Sequence, residues 1–267
     1  MKKADFTGKW VLITGASSGL GEEFARQLAH RGANLILTAR SEDKLRYFAH
    51  DLARVNGVST RFVVADLAEP LGITALLEGV DALHVPVDHV INNAGVGSTG
   101  PFAETDANAE MRMVRLNSEA VMRISRHFLP GMLARRSGGL IQVASTVAFQ
   151  PMPFMTTYGA TKAFVLSLSL ALAEEVRDTG VRVLAFCPGP VVTGFQRAAG
   201  IQKGGLVRMA KLEAPRVVRS ALEAYDDGRF VVVPGAFNAV QTAAVRVLPR
   251  GIVLRATRWA MQGLGRA

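Results

Sequence analysis

The sequence predicts an α/β fold: a doubly wound, Rossmann-type parallel sheet of about seven strands with helices on both faces, one domain with a C-terminal helical extension. Three observations predict it. Short apolar runs alternate with longer segments of helical period. The runs are largely continuous in apolar residues, as strands covered on both faces are. A glycine-rich turn joins the first run to the first helical segment. With 267 residues, 49% hydrophobic and 20% charged, the chain can bury one full core.

The strands are expected at residues 10–14, 34–38, 61–65, 89–92, 139–145, 181–186 and 229–233. Between them run segments of helical period at 20–30, rich in Ala, Leu and Glu, and at 42–55, 104–135 and 157–178. Crossovers between parallel strands are right-handed, so the carboxyl ends of the strands share one edge of the sheet, where ligands bind. Residues just after each strand are therefore the candidates for chemistry. The domain is expected over 1–235, with a basic amphipathic extension at 236–267.

Composition excludes several classes. The one cysteine, Cys187, rules out an intramolecular disulfide framework and fits a reducing compartment, so a cytoplasmic location is expected. Residues 1–9 are too short for a leader, and no apolar run reaches the length of about 18 that spans a bilayer. His30, His50, His84, His89 and His127 show no metal-ligand spacing and read as surface or helix-end histidines; no metal is expected. No nucleic-acid recognition motif accompanies the net charge of +9, and no Gly-x-Ser-x-Gly elbow makes Ser145 a hydrolase nucleophile.

The turn after the first strand reads Thr14-Gly15-Ala16-Ser17-Ser18-Gly19-Leu20-Gly21. Glycines there allow a tight turn and close approach of backbone to a diphosphate, while the N–H groups that open the next helix face the anion. A ribose 2′-hydroxyl is met by an acid at the end of the second strand and a 2′-phosphate by arginine. Ala39 and Arg40 stand at that place, which favours NADP(H) over NAD(H). Asp66-Leu67 follow the third strand, Asn92-Asn93-Ala94-Gly95 the fourth, and Ser145 closes the fifth. Tyr158 and Lys162 lie four positions apart on a helix, hence on one face. Lys162 is the only lysine between Lys44 and Lys203, and the run after it, 163–173, is almost wholly apolar. A neighbouring ammonium is expected to lower the tyrosine pKa toward working pH and make Tyr158 an acid/base, with the Ser145 hydroxyl positioning a substrate oxygen.

These residues resemble the classical short-chain dehydrogenase/reductase family. The resemblance runs from about residue 9 to about 194 and rests on the glycine loop, Asn92 to Gly95, Asn117, Ser145, Tyr158-x-x-x-Lys162 and Pro188-Gly189. It implies a catalytic tetrad of Asn117, Ser145, Tyr158 and Lys162, in which Lys162 also holds the nicotinamide ribose and Asn117 anchors a proton-relaying water. Asp66 and Leu67 resemble adenine contacts, Asn93, Ala94 and Gly95 line the adenosine ribose, and Val191 and Thr193, after Pro188 and Gly189, hold the carboxamide. Pairing into homodimers or homotetramers through the Tyr158 helix is also implied. The reading is an NADP(H)-dependent oxidoreductase that moves a hydride between nicotinamide and a carbonyl or secondary alcohol. The rival is a dinucleotide-binding sensor or scaffold without turnover, whose signature would be a broken tetrad.

The substrate side is less marked. Residues 147–155, with Phe195 and Ile201, offer apolar walls that suit a lipophilic carbonyl; the same side chains could instead pack a loop onto the core. Residues 1–196 carry a net +1 and residues 197–267 a net +8. The segment 236–267 mixes apolar residues with Arg246, Arg250, Arg255, Arg258 and Arg266 and contains no acid. Pro249-Arg250-Gly251 should divide it into two short helices. It either docks on an anionic membrane surface, caps an apolar substrate entrance, or packs on its own domain or a second subunit.

Overall fold

A computed structural model describes residues 4–191, 194, 195 and 212–262. Thr193, Ile201, Leu264 and Arg266 lie outside the described residues. Seven strands form one sheet: β1 (Trp10–Thr14), β2 (Asn34–Ala39), β3 (Thr60–Val64), β4 (Val87–Asn92), β5 (Gly139–Val143), β6 (Arg182–Phe186) and β7 (Val231–Val232). All pairs are parallel, in the order β3-β2-β1-β4-β5-β6-β7. The helices are α1 (Gly19–His30), α2 (Glu42–Asn56), α3 (Gly72–Asp81), α4 (Ala107–Val114), α5 (Ala120–Arg135), α6 (Thr156–Glu175), α7 (Ala214–Asp226), α8 (Ala236–Val247) and α9 (Arg250–Gln262).

The largely apolar strands are explained by the layers. Side chains alternate across a strand, so Val11 and Ile13 pack with α1, α2 and α7 on one face, whereas Leu12 packs with α3 and α5 on the other. Phe24, Leu28, Leu45 and Leu52 close the first layer; Ile73, Leu76, Ile124 and Met132 close the second. Strand order reverses between β1 and β4, which opens a crevice beyond their carboxyl ends.

Several expectations are corrected. The helical stretch expected at 104–135 begins at Ala107, where Asp106 caps α4, its carboxylate accepting from the Asn108 N–H at 3.0 Å, and a π-helical turn at Arg115–Glu119 joins α4 to α5 without interrupting the helix. The fifth strand ends at Val143, so Ser145 does not close it; Ser145 caps the 3-10 turn Thr146–Phe149 instead. β7 is reduced to two residues at the sheet edge.

His89 is neither a surface nor a helix-end histidine. It is buried on β4, and its Nδ1 lies 2.9 Å from the Tyr225 hydroxyl. Burial, with help from the Arg182 and Lys9 charges, pushes its pKa down to about 3 from an ordinary 6.5. Between those values the unfolded chain binds a proton that the folded chain refuses. Stability therefore falls as pH drops from 6.5 toward 3, with a slope of up to about 1.4 kcal/mol per pH unit from this residue. Urea unfolding across that range should show a flatter pH dependence for His89→Gln than for the parent chain.

Candidate active site

The loop between β1 and α1 is a cradle that only glycine permits. Gly15 and Gly19 sit at φ +65° and +60°. A Cβ on Gly21 would stand 2.3 Å from the Gly15 carbonyl oxygen, and one on Gly15 would stand 2.9 Å from Ala94 Cα. The first turn of α1 has no side-chain cap, so its N–H groups remain to meet an anion. These features fit a dinucleotide diphosphate.

β1 and β4 are tied together at the crevice. The Thr14 hydroxyl accepts from the N–H groups of Asn93 and Ala94 at 3.0 and 2.9 Å, and Asn93 Nδ2 donates to the Thr14 carbonyl at 2.8 Å. Gly95 follows against the centre of the site: a Cβ there would lie 3.2 Å from Asn117 Oδ1 and 3.3 Å from Lys162 Nζ. Asn117 lies in the π turn, a helix irregularity common at functional sites. Its amide clamps the Val96 backbone, accepting from the N–H at 3.0 Å and donating to the carbonyl at 2.8 Å, and also donates to Thr161 Oγ1 at 3.1 Å.

Ser145, Tyr158 and Lys162 are all buried beside the same cavity. Lys162 Nζ donates to the Val143 carbonyl at 2.7 Å and lies 5.9 Å from the centre of the Tyr158 ring. The expected lowering of the Tyr158 pKa is corrected here. Burial pushes it up to about 12 from an ordinary 10, opposed by a hydrogen bond with Ser145. Burial also brings Lys162 down to about 8 from 10.5, opposed by the nearby Cys187. The apolar surroundings that isolate the pair thus favour the neutral form of each.

The cavity has a volume of about 1540 Å³ and runs from Gly15, Ser17, Ser18, Gly19 and Leu20, past Arg40, Asp66 and Leu67, to Tyr158, Pro188, Gly189 and Val191. Asp66 is held by Arg112, 3.1 Å from Oδ2, and by the Ala68 N–H, 3.0 Å from Oδ1. Sequence reasoning missed two contributors, Lys44 and Arg112, whereas the tail as a cap over the substrate entrance was one of its alternatives. Lys44, in the first turn of α2, lines the cavity with Arg40, and its signal was available as the next base after Arg40. Arg112 had no such signal. Helices α8 and α9 supply a whole wall, including Asn238, Thr242, Leu248, Trp259 and Met261. Asn238 packs so closely that a Cβ on Gly189 would be 2.5 Å from its Nδ2. Met261 joins Met113, Met152, Met155 and Tyr158 in one buried apolar cluster.

This fold sets a glycine cradle at the switch point and a buried Ser, Tyr and Lys beside it. The chain belongs to the short chain dehydrogenase family, whose model matches residues 9–204. It is similar to a very-long-chain 3-oxoacyl-CoA reductase of Phaeosphaeria nodorum, 38% identical over 182 residues, covering 66% of this chain and 53% of that protein. The matched part thus spans about half the length of that relative. Among solved structures, a short-chain dehydrogenase from Sphingobium yanoikuyae in complex with NADPH is 32% identical with a TM-score of 0.81, covering 92% of this chain and 95% of that one. A short chain dehydrogenase/reductase from Burkholderia phymatum in complex with NAD is 28% identical with a TM-score of 0.80, covering 94% and 96%.

Proposed function

We propose that this chain is an NADP(H)-dependent reductase of bulky, apolar carbonyl compounds. One observation carries the reading: the glycine cradle, the Ser145-Tyr158-Lys162 group and a methionine-lined apolar wall all open into one cavity. Gly15 to Gly21 would hold the diphosphate, Asp66 and Leu67 the adenine, Asn93 to Gly95 the adenosine ribose, Lys162 the nicotinamide ribose, and Val191 and Thr193 the carboxamide. Reduced nicotinamide, when bound, supplies a hydride.

The chain's own residues handle the proton. Tyr158, with its pKa held up at about 12, is a neutral phenol at working pH and so carries the proton that a reduced carbonyl oxygen needs. Ser145 hydrogen-bonds the same oxygen and orients it, and its bond to Tyr158 stabilises the phenolate left behind. Lys162 uses one of its three donors on Val143 and keeps two for the cofactor ribose and for the charge that develops on Tyr158. Asn117 fixes Gly95-Val96 against α6 through Thr161, and would anchor the relay water that the family resemblance implies.

Preference for NADP(H) is supported by charge. Arg40 and Lys44 line the cavity mouth, and among the described residues neither is engaged in an ion pair. Of the two acids between them, Glu42 and Asp43, the first is engaged by Arg46. The substrate wall of Met152, Met155 and Met261 is adaptable and apolar, which suits a long chain or a fused ring system. Met261→Ala, which removes the tail's contribution to that wall, is expected to raise KM for a long-chain ketone roughly tenfold while leaving kcat nearly unchanged. Steady-state kinetics with NADPH, set against a short polar ketone whose KM should not move, tests the reading.

The assembly is a homodimer or homotetramer. Phe164 on α6 and Met122 on α5 are exposed apolar residues beside the buried core of those helices. Light scattering at micromolar concentration should return at least two copies, and Phe164→Glu should shift the protein toward the monomer.

A further inference from the structure

Helices α8 and α9 leave large apolar side chains on the surface. α8 buries Asn238 and Thr242, and α9 buries Val253, Thr257 and Met261. Several large apolar side chains are exposed instead: Val240 and Val247 along the outer side of α8, Ile252 and Trp259 along that of α9. Val247 is 82% exposed and Trp259 73%. A helix on a surface that faces only water shows the opposite arrangement, and a contiguous apolar patch left outside marks a contact surface. The charge within the patch has one sign. Arg246, Arg250, Arg255 and Arg258 stand among these residues, and no Asp or Glu occurs after Asp227. None of those four arginines is in an ion pair among the described residues.

We infer that this face docks on an anionic lipid bilayer, with the apolar side chains in the boundary between headgroups and acyl chains and the arginines against lipid phosphates. Trp259 has the amphipathic ring that settles at headgroup level, and Ile252, Arg255 and Trp259 share one stripe of α9. A second copy of this chain is a poorer occupant. A two-fold contact sets the patch against itself, so the same arginines would meet with no acid between them. Leu248, Val253 and Trp259 also line the cavity, so docking turns its mouth toward the lipid. That last consequence, entry of substrate from the bilayer, rests on the apolar-carbonyl reading; the docking does not.

The test is co-sedimentation of the full chain with vesicles of phosphatidylcholine alone and of phosphatidylcholine mixed with phosphatidylglycerol. Pelleting is expected only with the mixed vesicles, weakened by salt and accompanied by a blue shift of tryptophan emission. Each arginine contributes about a fivefold gain in partitioning. The combined Arg246→Gln, Arg250→Gln, Arg255→Gln and Arg258→Gln variant should therefore bind at least about a hundredfold more weakly. Val247→Gln with Ile252→Gln should also lose binding. Circular dichroism and NADPH binding of both variants, measured without lipid, should match the parent chain, which separates loss of docking from loss of fold or of the cofactor site. Failure of the full chain to pellet with mixed vesicles, equal pelleting with neutral ones, or full retention by the arginine variant would overturn the proposal. Self-association without vesicle binding, abolished by Val247→Gln with Ile252→Gln, would overturn it in favour of a second copy.

Discussion

Tyr158→Phe is expected to bind NADPH as the parent chain does and to lose at least about a hundredfold in kcat, the scale of general acid catalysis. The substitution keeps the ring that packs against Phe195, 5.6 Å between centroids, and against the methionine cluster. It deletes only the hydroxyl, and with it the proton and the partner of Ser145. Burial explains why nothing else replaces it: the neighbouring ammonium of Lys162 is anchored to the Val143 carbonyl, and water has little access to a residue so enclosed. Cofactor fluorescence titration and steady-state turnover together separate binding from chemistry. Turnover near that of the parent chain would remove Tyr158 from the mechanism.

Arg40→Ala with Lys44→Ala should reverse or abolish the preference for NADPH while leaving NADH binding nearly unchanged. A charge-assisted hydrogen bond to phosphate contributes roughly 1.5 to 3 kcal/mol, so each residue should account for about a ten- to hundredfold difference between the two cofactors. Neither side chain supports the fold, since both are exposed and unengaged among the described residues. Titration of both cofactors into both proteins reads the effect. An equal loss for NADPH and NADH would mean that the two bases act only as solvated charges.

What was legible in the sequence was what local chemistry dictates. Gly15, Gly19 and Gly21 stand where the backbone bends or approaches itself, and a four-residue spacing is enough to place Tyr158 and Lys162 on one face. The strand cores were legible because a parallel sheet leaves no polar side to confuse the pattern. Features made by tertiary packing were not. The helix over 107–135 carries a π turn around Asn117, whose side chain is held by the distant Val96 and Thr161. His89 reads as polar yet is buried because Tyr225, far along the chain, gives it a partner. The direction of the Tyr158 shift depends on desolvation, which spacing does not reveal. For the tail, the split into α8 and α9 at Pro249 follows from the residues, but the polar face turned inward, and Met261 beside Tyr158, come only from docking against the cavity.

The most direct measurement is transfer of label from NADPH deuterated on its nicotinamide ring to a long-chain apolar ketone, followed by mass spectrometry of the product. One deuterium on the carbinol carbon is expected, with a slower reaction from equally labelled NADH and none above background with Tyr158→Phe. Failure to form labelled alcohol from any bulky apolar ketone, or faster transfer from NADH than from NADPH, would contradict the assignment.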